Sequence, residues 1–355
     1  MSPTSRRAWP ASTKPVGGAG RQNVRMPRWI RAEPAPATVP PPLDGEWAPT
    51  DTRLDAVRRL PLPAGHGPED VVVDLDGRLV TGADDGGVWR WRRDDTDAPP
   101  ELVADTGGRP LGIEVDPRDG SLIVCDAYRG LLRITDDGAV TVLTDRAAGR
   151  PLVLCDNAAV ARDGTVYFSD SSDRYPLSDW KRDMMEHRPN GRLLAYDPAS
   201  GRTDVVADRL YFPNGVALTP DGSALMFAET TTHRLMRVPL GGAPVEVADL
   251  PAYPDNLTAV GDGTYWIALP SPRLAAFERL LPRPRLRQFV AAAPAVLHPR
   301  PKRYGLVALI DGAGRVLRTL HGPAGSYSMI TGVRQHGTTL WLGSLTESAV
   351  AAVDL

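Results

Sequence analysis

Between residues 67 and 345 one phrase recurs six times: an apolar-alternating run, a turn containing Gly, and a second run rich in Val, Ile, Tyr, Phe and Trp. It reads GPEDVVVDLDGRLVTG at 67–82, RPLGIEVDPRDGSLIVCDA at 109–127, CDNAAVARDGTVYFSDS at 155–171, FPNGVALTPDGSALMFAET at 212–230, YPDNLTAVGDGTYWIALP at 253–270 and ITGVRQHGTTLWLGSL at 330–345. Each is a β-hairpin by pattern. The turn glycines are Gly77, Gly120, Gly164, Gly222, Gly263 and Gly337, and all but the last follow an Asp, the dipeptide that supplies tight-turn backbone angles. Successive spacings are 43, 44, 58, 41 and 74 residues. Three of these match the roughly 40–50 residue period of a four-stranded propeller blade, and the other two are that period plus an insertion. Further strand pairs follow the hairpins, as in GGVWRWRR (86–93), GLLRITDDGAVTVLT (130–144), GRLLAYDPASGRTDVVA (191–207) and HRLMRVPLGGAPVEVA (233–248). A four-stranded blade cannot bury both faces alone, so blades must stack around an axis. Residues 50–355 therefore read as an all-β, six-bladed β-propeller with short helical insertions. A β-sandwich would not explain six phrases with one grammar.

Composition places limits on the rest. The 34 Gly and 35 Pro fit a turn-rich chain, and 41 basic against 43 acidic residues leave a net charge of -2. No global field recruits nucleic acid or an anionic membrane. No run approaches the roughly 18–20 apolar residues of a spanning helix, and the basic N-terminus has no apolar run behind it, so no secretory signal is expected. Residues 1–49 end in the tract AEPAPATVPPPLDG and read as a flexible, Pro- and Ala-rich arm. Cys125 and Cys155, in apolar settings, are expected as reduced thiols of a cytoplasmic protein.

The two long spacings hold the helix-like segments. Near 172–190, Ser178 is a good N-cap residue, and helix formers continue to His187 before Arg188-Pro189. The second insertion, 271–304, carries seven Arg and Lys302 against Glu278 alone. It reads either as a solvated helical excursion, as a lid that favours anionic groups, or as a weak interaction surface for membranes or partners.

In a propeller the first strand of each blade lines the channel, so residues at the starts of these strands converge on one axis. Counting back from the turn glycine gives Glu69 at 8 residues, Asn157 at 7, Asn214 at 8, Asp255 at 8 and Asn256 at 7. The second and last repeats offer Leu111 or Gly112, and Thr331. Asn and Asp are ordinary turn residues, but the turns proper lie elsewhere, at the Asp-Gly sites. Converging oxygens without Cys or His suit a hard cation, Ca²⁺ before Zn²⁺, with Mg²⁺ or Mn²⁺ also compatible.

The same residues resemble a known family. GPEDVVVD, RPLGIEVDP, DGTVYFSDSS, LYFPNGVALTPDGSALMFAETTTHRLMRV, YPDNL and LWLGSLTESAVAAVDL look like the strictosidine synthase-like branch of the superfamily that includes paraoxonases, gluconolactonases and the senescence marker protein. The resemblance implies a six-bladed propeller with a central Ca²⁺ in hydrolytic members. Its ligands would fall at Glu69, Asn157, Asn214 and Asp255, with Asn256 a candidate fifth. It also places the nucleophile or general base at Asp255. Two departures limit the transfer. Plant strictosidine synthases use a Glu in the last blade just before the strand corresponding to LWLGSL, where this chain reads Ser328-Met329-Ile330-Thr331-Gly332-Val333; the paraoxonase-type His of the second blade is missing from the matching stretch Arg109-Pro110-Leu111-Gly112-Ile113. His66, His187, His233, His298, His321 and His336 all read as turn or insert residues.

The expectation is a calcium-dependent hydrolase of small esters or lactones, a lactonase or arylesterase. Asp255 would react, Glu69, Asn157 and Asn214 would position the ion, and Leu111, Phe212 and Tyr253 would form an apolar pocket under the insertions. The alternatives are a metal-free condensing or cyclising biosynthetic enzyme and a non-catalytic ligand-binding propeller. The partner expected is a small molecule, with no nucleic acid.

Overall fold

A computed structural model describes residues 29–93, 95–294 and 298–355. Among the described residues the strands form six four-stranded antiparallel sheets, with one two-stranded ribbon, Arg146–Ala147 with Arg150–Pro151, between the second and third. The protein is a six-bladed β-propeller. Inner strands are Val71–Val73, Pro110–Val115, Cys155–Val160, Pro213–Leu218, Leu257–Ala259 and Ile330–His336, for blades 1 to 6 in order. Each opens a hairpin whose Gly turn is the one expected from sequence, and all six turn glycines have positive φ.

The sixth blade has only three strands left to form after residue 329, and its fourth is Arg58–Pro61, paired antiparallel with Ala349–Asp354 from Arg58↔Ala352 to Pro61↔Ala349. This closure joins the two ends of the propeller.

Both faces of each sheet are covered by neighbouring blades. The core is accordingly a ring of layers between blades: Met226 and Leu235 of blade 4 pack with Tyr265 and Ile267 of blade 5, and Ile123 and Leu131 of blade 2 with Phe168 and Leu194 of blade 3. Runs of Val, Ile, Leu and Ala in middle strands such as Leu122–Asp126 and Ala224–Glu229 are buried throughout for that reason. Cys125 and Cys155 are free thiols inside one of these layers.

Both insertions enter at the same point of the repeat, between second and third strands, after Asp170 in blade 3 and after Ala268 in blade 5. An inner strand starts, and its antiparallel partner ends, at the same end of the propeller. The insertions therefore rise over the mouth where the inner strands begin. The first forms α1, Trp180–Glu186, which begins after Asp179 rather than Ser178 because Leu177–Asp179 is a 3-10 turn. The second forms α2, Ala275–Glu278, and α3, Pro284–Ala292.

The segment expected as a flexible arm departs from that reading over its described part. Ile30 is buried with Tyr175, Met185, Phe277 and Leu281, and the strap formed by residues 30–38 runs across both insertions. Ala35 N donates to Leu281 O, Thr38 Oγ1 to Glu278 Oε2 at 2.6 Å, and Arg31 N to Glu186 Oε2. Arg287 of α3, fully buried, donates to the carbonyls of Met185 and Glu33 and so ties both insertions to the strap. Pro and Ala make this stretch irregular, but Ile30 supplies an apolar anchor. Residues 1–28 lie outside the described residues. No helix among the described residues is long and apolar enough to cross a membrane.

Candidate functional site

Four inner strands carry a β-bulge at the same place, between Pro110 and Ile113, Cys155 and Ala158, Pro213 and Val216, and Ile330 and Val333. A bulge sets two residues against one on the partner strand and re-aims their side chains. It sorts the strand starts into two rings. The outer ring takes one residue from each blade, Glu69, Leu111, Asp156, Asn214, Asp255 and Thr331, and all six line one cavity of about 1060 Å³ counting its open mouth. The next residue in each blade forms a second ring, Asp70, Gly112, Asn157, Gly215, Asn256 and Gly332.

The second ring alternates a polar side chain with a glycine. A Cβ on Gly112 would lie 2.7 Å from Asn157 Cα, and one on Gly332 would lie 2.8 Å from Asp70 Cα. Only glycine lets the neighbouring blade approach this closely. Asp70 accepts from Val71 N at 2.8 Å and Ile113 N at 3.2 Å, and Asn157 Oδ1 accepts from Val216 N at 3.0 Å, so each satisfies the backbone of a bulge in the following blade.

Placement of the expected ligands follows. Glu69, Asn214 and Asp255 are brought together on the cavity floor. Asn256 joins them from the second ring, donating from Nδ2 to Glu69 Oε1 at 3.0 Å. Asn157 does not line the cavity: its side-chain carbonyl is taken by Val216 N, and Asp156 stands in its place. A uniform count of eight residues back from Gly164 reaches Asp156, whereas seven reaches Asn157. Thr331, at the matching place in the last repeat, has no role expected from sequence; its Oγ1 donates to Glu69 O at 2.7 Å.

Burial dominates the electrostatics. It drives the carboxyls of Glu69 and Asp255 well above the usual range, and their mutual proximity to Asp156 and Asp70 adds to this. Arg109 opposes the shift at Glu69, and a hydrogen bond from Asn214 opposes it at Asp255. Asp156 is pushed up to about 7 by burial, although the Ser171 hydroxyl, 2.6 Å from its Oδ2, favours its ionised form. Around these two rings four buried acceptor oxygens have no hydrogen-bond partner: Glu69 Oε2, Asn214 Oδ1, Asp255 Oδ1 and Asn256 Oδ1. Unpartnered buried acceptors are costly, and a divalent cation is the partner that two carboxylates and two amide oxygens suit. No three His, Cys, Asp or Glu side chains among the described residues stand close enough to hold a metal by themselves, so the amides are an essential part of such a donor set.

Above this floor the wall is apolar, with Leu111, Phe212, Tyr253, Phe277, Met329 and Leu345, and α1 contributes Trp180 and Met184. His298 also lines the cavity, from the second insertion, with Nε2 3.0 Å from Ala293 O. In blade 6 the stretch that would carry a condensing enzyme's Glu contributes Met329 and Thr331 instead, neither of which transfers protons near neutrality.

Known proteins share this framework. Residues 156–241 match the strictosidine synthase family and residues 45–91 match the family described as strictosidine synthase-like, N-terminal. Strictosidine synthase-like protein 6 of Arabidopsis thaliana is 39% identical over 82% of this chain and 79% of its own length. The adipocyte plasma membrane-associated protein of Rattus norvegicus is 31% identical, covering 86% of this chain and 88% of its own. In fold, the chain is similar to a gluconolactonase from Xanthomonas campestris, with a TM-score of 0.61 and 19% identity over 92% of this chain and 96% of that one. A calcium-binding regucalcin from Agrobacterium tumefaciens has a TM-score of 0.58 and 14% identity, covering 83% of this chain and 92% of that one. With 39% and 36% identity to two Arabidopsis thaliana strictosidine synthase-like proteins over 82% and 90% of its length, the chain belongs to the strictosidine synthase-like family.

Proposed function

We propose that the protein hydrolyses small carboxylic esters or lactones in the central cavity, with a divalent cation, Ca²⁺ first, held by Glu69, Asn214, Asp255 and Asn256. The observation that carries this reading is the set of unpartnered buried oxygens of Glu69, Asn214 and Asp255 at the floor of an apolar cavity, with that of Asn256 in the ring beneath. The gluconolactonase and regucalcin that share the fold support it as similar proteins whose names state a lactone substrate and a calcium site. A bound cation would supply Lewis-acid polarisation of the substrate carbonyl.

The chain's own groups divide the remaining work. Asp255 accepts the proton of the water that adds to the carbonyl and returns it to the alcohol oxygen as the acyl C–O bond breaks, and the hydrogen bond from Asn214 orients its carboxylate. Asn256 fixes Glu69 through the 3.0 Å bond to Oε1. Asp156, held by Ser171, adds a third carboxylate to the floor. Wall and lid exclude bulk water, which strengthens each electrostatic contact on the floor.

Elemental analysis of purified protein, alongside a screen of aryl esters and lactones, tests the proposal. About one Ca²⁺ per chain with turnover is expected. Asp255→Asn should keep the fold and lose hydrolysis by roughly 10²–10⁴-fold, the range for a general base. Retained activity in that variant would remove Asp255 from the mechanism, and metal-free protein with full turnover would remove the cation.

A further inference from the structure

Six non-glycine residues among the described ones have left-handed backbone, and two of them, Phe212 (φ 55°) and Met329 (φ 53°), line the cavity. Each is the residue just before an inner strand, in blades 4 and 6. Each has its carbonyl bonded by the residue that follows the second strand: Thr230 N to Phe212 O at 3.1 Å, and Leu345 N to Met329 O at 3.2 Å. Blades 2 and 3 make the same bond at the same position, from Ala127 N to Arg109 O and from Ser171 N to Leu154 O. Arg109 and Leu154 do so without left-handed φ, and neither lines the cavity. The turn therefore does not require the unusual backbone.

Nor does the chain lack the residue that adopts this backbone freely. Nineteen glycines have positive φ among the described residues, yet positions 212 and 329 keep large side chains. A residue held in a sparsely populated conformation with its side chain turned into a cavity points to a role for that side chain. The polar tip of their wall neighbour Tyr253 is engaged by the Leu274 backbone, so this part of the wall offers a ligand apolar surface.

We infer that Phe212 and Met329 are specificity-determining residues that grip an apolar chain or flat ring of the substrate, so that the cavity selects carbonyl compounds with a large apolar group over polyhydroxylated ones. This rests on the hydrolase reading for the reaction, but its binding half is separable from it. The same group need not be cleaved to be gripped.

The test uses the full chain, a series of 4-nitrophenyl esters from acetate to decanoate, and calorimetric titration with decanamide, which serves as an uncleaved probe. Wild type should bind decanamide and favour long esters. Phe212→Gly and Met329→Gly should each weaken decanamide binding roughly tenfold and flatten the chain-length dependence, while acetate turnover changes less. Arg209→Gly relieves a third left-handed residue (φ 60°) on the exposed outer strand of blade 3 and should leave both readouts unchanged. If a Gly variant fails to fold, Phe212→Asn or Met329→Asn, which tolerates the same backbone, gives the reading. Decanamide binding that depends on both residues without turnover of any ester would uphold the grip and overturn hydrolysis. Turnover of esters with rates indifferent to chain length, to Phe212 and to Met329, or no decanamide binding by wild type, would overturn the grip.

Discussion

At Gly215 the fold leaves no room for a methyl group. A Cβ there would collide with the Leu257 backbone nitrogen and the Asn256 backbone, the point where blade 4 meets blade 5 beside the candidate site. Gly222 has a positive φ of 68°, and a Cβ at that position would meet nothing within 4 Å. The two glycines therefore separate two costs. Gly222→Ala should cost about 1 kcal/mol, from the left-handed backbone alone. Gly215→Ala should cost about 2–3 kcal/mol, because backbone must move, and should also disturb Asn256 and Glu69. Chemical denaturation of the two variants, with activity of the folded fraction, checks the ordering. A smaller loss at Gly215 would show that the second ring yields more easily than its packing indicates. The alternation of glycine with Asp70, Asn157 and Asn256 stands in the sequence at 70, 112, 157, 215, 256 and 332. It becomes visible only when repeats are aligned by the inner strand. Alignment by the turn glycine brings Glu69, Asp156, Asn214 and Asp255 together at eight residues, but it misses the rings in blades 2 and 6, where Leu111 lies nine residues and Thr331 six residues before the turn.

At the scale of elements, the hairpins were legible because their signals are local: alternation of period two and a Gly that supplies positive φ. The bulges were not, since a two-against-one register depends on the partner strand. The strap was hidden as well, because its order comes from Arg287 and Glu186, each more than 150 positions away from it. Helix α1 shows how a lid element is held. Asp183 is buried on α1, accepts from Ser172 Oγ at 2.5 Å and Asn190 Nδ2 at 3.1 Å, and is pushed up to about 7 mainly by burial. A carboxyl raised in the folded state stabilises folding most below its unfolded value near 4. That contribution is lost as pH rises toward 7. Asp183→Asn, which stays neutral, should therefore raise stability at pH 8 by on the order of 2 kcal/mol, with the gain vanishing near pH 4. Melting curves of both proteins across this range are the measurement, and a constant offset at every pH would show that Asp183 ionises freely in the folded protein.

For the whole molecule, the decisive contact is the one between its ends. Six blades bury their faces only while the ring is closed, and the closing strand Arg58–Pro61 is the outermost of blade 6 while its neighbour in sequence leads into blade 1. Sequence pattern could count the blades, but could not say which end supplies the missing strand, because strand pairing across nearly 300 residues leaves no local mark. Leu60 is the apolar link in that strand, 2% exposed and packed with Val71 of blade 1 and Trp341 and Val350 of blade 6. Leu60→Ala should therefore destabilise the molecule by about 2–5 kcal/mol, the range for a buried Leu. Its effect should also differ in kind from that of an equal loss inside one layer. Opening the ring exposes the inter-blade faces of blades 1 and 6 together, so hydrogen exchange should rise in Val71–Val73 and in Ala349–Asp354 at once. Leu194→Ala, in the layer between blades 2 and 3, should raise exchange locally and leave those two strands protected. The floor of the cavity draws one residue from every blade, so ring opening also separates Glu69 of blade 1 from Thr331 of blade 6, which it meets through the 2.7 Å bond. If Leu60→Ala lowers stability without raising exchange in both end strands together, the ring does not open at this seam, and closure is carried instead by the inner strands at the channel.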